Sequence, residues 1–75
     1  MNNDINQNEN HYNLSEREVE ILENVVKGNT NVEIAEKLDI SNRTVDTHRR
    51  NIMKKLNVKN TADMVRFALT EGIIE

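Results

Sequence analysis

"TNVEIAEKLDISNRTVDTHRRNIMKKL", residues 30–56, decides the fold of this chain. Thr30 followed three residues later by Glu33 is a capping box, in which hydroxyl and carboxylate satisfy two orphan helix N–H groups reciprocally. Ile34, Ala35 and Leu38 then recur at helical spacing, which predicts a short helix over 31–38. Ser41 caps a longer helix, predicted over 42–56, and only Asp39 and Ile40 lie between. With Arg43 as zero and about 100° of turn per residue, Thr47, Arg50 and Lys54 fall within about 40° of it. Val45, Ile52 and Leu56 gather on the opposite side. Two helices, a tight link, and a second helix with an apolar back and a cationic front make a helix-turn-helix.

Charge separates along the chain in the same way. Residues 41–59 hold six of the ten Lys and Arg residues and one acid, Asp46, a local charge of +5 in a protein of −3. Residues 1–40 carry nine acids against three bases, and residues 60–75 three against one. A basic block between acidic ones is the footprint of a single anion-seeking face, or of a solvated helix paired with acidic neighbours. The major groove of B-form DNA admits one α-helix, whose front reaches base edges while flanking cations meet phosphates. The helix N-termini at Thr30 and Ser41 add N–H donors suited to phosphate.

The rest of the chain supplies support. "LSEREVEILENVVKG" repeats the capping grammar: Ser15 with Glu18, a staple from Leu14 and Val19, an apolar stripe, and Gly28 as stop, for a helix over 16–27. Asn60 with Asp63 starts a fourth helix over 61–70, ended at Gly72, with Ile73 and Ile74 folding back. An all-α four-helix bundle containing a helix-turn-helix follows. Residues 1–13 include six Asn and almost nothing to bury, and read as a disordered tail before a domain over 14–75.

Composition narrows the function classes. Seventy-five residues make one small domain and leave little room for a catalytic cleft. Without Cys there is no thiolate metal site or cysteine nucleophile, and His11 and His48 alone make no metal cluster. Ser15, Thr30 and Ser41 are explained as caps, with no His–Asp pairing to mark a nucleophile. No enzyme, metal or cofactor is implied. No apolar run approaches a membrane span, and a reducing cytoplasm suits the composition.

Together, "LSEREVEIL", "EIAEKLDIS", S-x-x-TV-x-x-H and N-I-x-x-KL-x-V resemble the LuxR/GerE-type helix-turn-helix domain, also found at the C-terminus of NarL/FixJ-type response regulators. The resemblance covers residues 14–74. It implies a bacterial, cytoplasmic and nucleoid-associated transcriptional regulator that binds double-stranded DNA through its third helix and forms a homodimer through the last helix on inverted half-sites. By position, Arg43, Asp46, Thr47, Arg50 and Asn51 are the groove-facing candidates, and Thr30, Asn31, Thr44 and Lys54 the phosphate contacts. Val65 and Leu69 are candidates for core or dimer seam, and RNA polymerase or another regulator is a possible further partner.

Departures from the family pattern carry information. Many relatives have Lys where Asp46 stands; a carboxylate there either accepts from a cytosine amine or, the preferred reading, holds Arg43 or Arg50 by an ion pair. Asp39 and Asn57 occupy turn positions where Gly is frequent. Arg49 and Lys55 point off the front, toward solvent or the acidic first helix, and His48 is expected on the flank, bonded within the bundle in preference to a phosphate contact. The initiating Met and irregular tail favour a stand-alone regulator over an excised domain. A second function class is an interaction protein that pairs with full-length regulators and blocks their DNA binding; a third is polymerase association in the manner of a sigma factor's terminal domain.

Overall fold

The computed structural model describes residues 12–74. Four helices run in order: α1 (Glu16–Val26), α2 (Asn31–Leu38), α3 (Asn42–Leu56) and α4 (Thr61–Thr70), with no strand among the described residues. Each starts where its cap predicts. Ser15 and Glu18 close one reciprocal capping box, and Thr30 and Glu33 another. Ser41 Oγ accepts from the Thr44 N–H at 3.0 Å, and Asn60 Oδ1 from the Asp63 N–H at 2.8 Å. Such caps contribute about 1 kcal/mol each by satisfying donors that the helix leaves open. α1 stops one residue short of expectation, at Val26, with Lys27 as its C-cap and Gly28 at a φ of 91° beyond it.

α2 and α3 end by the same device. Asp39 and Asn57 both adopt the left-handed conformation at φ 59° and ψ 47°. That region suits Asn and Asp better than other side-chain-bearing residues, so the usual glycine is dispensable at both turns. The next N–H reaches back to an orphan carbonyl: Ile40 to Ala35 at 3.0 Å, and Val58 to Met53 at 3.0 Å. Ile40 and Val58 then pack on the core, the apolar contact that accompanies this C-terminal motif. The turn between α2 and α3 is thereby fixed by backbone bonds and by burial.

The core takes residues from all four helices: Ile21 and Leu22, Ile34, Val45 and Ile52, and Met64 and Ala68 are fully buried. Burying each large apolar side chain contributes about 1.5–3 kcal/mol before conformational entropy is subtracted. Leu14, ahead of α1, and Ile74, after α4, are buried as well, and Ile73 packs against the core. Val45, Ile52 and Leu56 are the apolar back of α3, so its front necessarily faces outward.

Residues 1–11, most of the expected tail, lie outside the described residues. At its end, Tyr12 and Asn13 are held. The Tyr12 ring meets Phe67 of α4 edge-on with centroids 5.4 Å apart, and the Asn13 carbonyl accepts from Lys55 Nζ at 3.0 Å.

Candidate nucleic-acid interface

The front of α3 is a solvent-facing row. Arg43, Thr47, Arg50, Asn51 and Lys54 are all exposed, over three turns whose opposite side is core. Among the described residues, Arg43 and Lys54 have no ion-pair partner, so none of α1's glutamates neutralises them. Asp46 is half-buried between Arg43 and Arg50. Its Oδ2 accepts from Arg50 Nη2 at 2.6 Å and from Arg50 Nε at 3.1 Å. The ion pair preferred for Asp46 is therefore present, and of the two arginines named for it the partner is Arg50. Both side chains remain open, 65% exposed for Arg50 and 49% for Asp46, so the bond contributes well under about 1 kcal/mol to stability. Its effect is on orientation: it draws the Arg50 fork back along the helix, beside Asp46.

The flanks of α3 use their cations differently. Lys55 Nζ donates to Glu18 Oε1 at 2.7 Å, which ties α3 to α1. Glu18 is only 5% exposed, although it is a capping residue. Burial pushes its carboxyl up, but hydrogen bonds from Lys55 and the Ser15 N–H, with the charges of Lys55 and His48, hold it below the usual carboxylate range. His48 is thus on the α1 side, half-buried, and its side chain makes no hydrogen bond among the described residues. The expectation of a bonded histidine is met in place but not in bonding.

Arg49 departs from expectation. Instead of facing solvent or α1, its Nη1 donates to Asn31 Oδ1 at 2.9 Å and its Nη2 to Thr61 Oγ1 at 2.6 Å. One guanidinium ties the N-terminus of α2 to that of α4, across the side of α3. Nothing in local spacing signals this, since its partners lie 18 and 12 residues away. The bond also sets the chemistry of Asn31. Arginine only donates, so the amide oxygen turns inward and both Nδ2 donors are left for another acceptor.

The other phosphate candidates retain donors as well. Thr30 Oγ1 and Ser41 Oγ accept cap bonds, and Ser41 donates to Thr44 Oγ1 at 2.9 Å. The hydroxyl protons of Thr30 and Thr44 remain available, and both residues are exposed beside the N-termini of α2 and α3. Front and N-termini together offer cations, donors and one carboxylate bonded to Arg50.

Residues 12–68 match the family of bacterial regulatory proteins of the luxR type. The chain belongs to that family. Over 61 residues it is 48% identical to the transcriptional regulatory protein MctR of Rhizobium johnstonii, covering 81% of this chain and 28% of that protein. It is 47% identical over 62 residues to the oxygen regulatory protein NreC of Staphylococcus carnosus, covering 83% of this chain and 29% of NreC. In structure it is similar to the response regulator ChrA of a heme-sensing two-component system, with a TM-score of 0.78 and 43% identity, over 81% of this chain and 30% of that one. The chain spans less than a third of the length of these relatives. The luxR family is one of regulatory proteins and not a family of enzymes. Among the described residues no helix is long and apolar enough to cross a membrane, and no group of His, Cys, Asp and Glu residues is arranged to hold a metal.

In this luxR-type domain the two seam candidates of α4 separate. Val65 is half-buried and packs on the core, whereas Leu69 is 49% exposed.

Proposed function

We propose that the chain is a bacterial, sequence-specific DNA-binding regulator of transcription, with α3 in the major groove. The observation that carries this reading is the exposed row Arg43, Thr47, Arg50 and Lys54, cationic and without a packing role. Arg43, Asp46, Thr47, Arg50 and Asn51 face base edges; Thr30, Asn31 and Thr44 bind phosphates through donors left open at the N-termini of α2 and α3, and Lys54 through its ammonium group. The protein pairs with a second copy through α4, with Leu69 at the seam, on inverted half-sites centred about 10 base pairs apart. A place on the nucleoid in the cytoplasm goes with that role, as does contact with RNA polymerase. The domain over residues 14–75 is the part of this chain that acts in this reading.

Affinity for a selected duplex, titrated against salt, tests the reading. Log-affinity falls with log salt by about 0.9 for each phosphate neutralised. A flat response, or an unchanged footprint in Arg50→Ala, defeats it. The exposed Leu69 favours one second reading: the chain pairs with longer relatives through α4 and keeps them off DNA. Co-purification with a longer luxR-type protein, without any duplex shift by the chain itself, selects that alternative.

A further inference from the structure

The Asp46–Arg50 pair has unused capacity on both partners. A guanidinium carries five N–H groups, and Asp46 Oδ2 takes one from Nε and one from Nη2. Both protons of Nη1 and the second of Nη2 remain, along the end of the fork. That edge matches the adjacent N7 and O6 acceptors of guanine in the major groove. Asp46 Oδ1, in turn, has no protein partner among the described residues. It lies next to the fork, on an open part of the helix.

We propose that Asp46 is a specificity-determining residue: with Arg50 it forms a two-part reader, Arg50 taking a guanine and Asp46 Oδ1 taking the exocyclic amine of a base in the neighbouring pair. The assignment rests on the reading that the α3 front enters the major groove. Cytosine N4 is the foremost amine, and adenine N6 the other. Docking the duplex strips water from Oδ1, and an amine restores the lost bond. A thymine O4 or guanine O6 there sets lone pairs against a carboxylate, with water already gone. The pair is neutral overall, so it adds nothing to the sequence-blind attraction of the backbone. Arg43 and Lys54, which have no counter-ion among the described residues, supply that attraction. The ion pair and the cytosine contact are therefore not alternatives, since they use different oxygens of one carboxylate.

Selection of bound duplexes from a random pool by the full chain, by Asp46→Asn and by Asp46→Ala tests this, followed by titration against duplexes changed at one pair. The intact chain enriches a guanine beside a pair presenting an amine, and prefers that amine to a carbonyl base by about tenfold. Both variants lose the preference at that pair, keep the rest of the motif, and bind random duplex more tightly because a negative charge is gone. An identical motif in Asp46→Ala overturns the assignment of Asp46 and leaves the proposed function intact. Complete loss of binding by Asp46→Ala, with helix content retained, reduces Asp46 to a prop for Arg50 and also overturns it. Failure of the intact chain to enrich any sequence defeats the proposed function itself, and this assignment with it.

Discussion

The two sides of α3 carry the same residue types to different ends. On the back and flanks, Lys55 holds Glu18 of α1, and Arg49 spans Asn31 and Thr61. On the front, among the described residues, Arg43 and Lys54 are exposed without an ion-pair partner, and Arg50 pairs with its helical neighbour Asp46. A cation's position around the helix, rather than its identity, decides whether it serves the fold or an external anion. One helix can do both because its apolar back fixes its rotation against the bundle.

Substitution on the back gives the largest effect. Ile52 is fully buried, and Ile52→Ala is expected to lower unfolding stability by about 2–5 kcal/mol in urea. A loss below about 1 kcal/mol would show that the back of α3 does not anchor it.

The flank comes next. Lys55→Ala leaves a buried carboxylate short of a donor and is expected to cost about 1–3 kcal/mol. Acid titration sharpens the same point. The folded state holds the Glu18 carboxyl below its ordinary value of 4.5, so its stabilisation is complete above that pH. It is lost as pH falls below 4.5 toward the lower folded value, as unfolding curves at stepped pH will record. Glu18→Gln is expected to flatten that decline; an equally steep decline in the variant assigns it to other carboxylates.

The front gives the smallest change in stability. Lys54→Ala is expected to alter unfolding by less than about 0.5 kcal/mol. It is nevertheless expected to reduce the salt slope of duplex binding by about 0.9, the share of one phosphate. Arg49→Ala lies between the two sides: about 1 kcal/mol of stability goes with its side-chain bonds. Weakened duplex binding accompanies that loss if Asn31 is a phosphate contact. Binding as tight as in the unaltered chain removes Asn31 from the interface.

Most of the fold was legible because its determinants are local. Ser15 with Glu18, Thr30 with Glu33, and the caps Ser41 and Asn60 act within three residues, and the apolar repeat then says which face turns inward. An ion pair of Asp46 with Arg43 or Arg50 was legible for the same reason, both lying about one helical turn away, but not which of the two would form it. What escaped depends on tertiary placement. Lys55 reads as turning to solvent or to the acidic first helix, but that Glu18, which reads as a cap, is the residue receiving it from 37 residues away was not legible. The partners of Arg49 lie on helices whose relative positions no spacing encodes. Tyr12 sits in Asn-rich surroundings and so reads as tail, although its ring lies against Phe67. Val65 and Leu69 share the apolar character of α4, and only packing tells the half-buried one from the exposed one.

Titration of isotope-labelled protein with a selected duplex, followed residue by residue by NMR, tests the contrast between the two sides most directly. The largest shifts are expected at Arg43, Thr47, Arg50, Asn51 and Lys54, with smaller ones at the N-terminus of α2 and little change along the outer face of α1. Largest shifts at Arg17, Glu20 and Glu23 of α1, with the α3 front unmoved, would contradict the account.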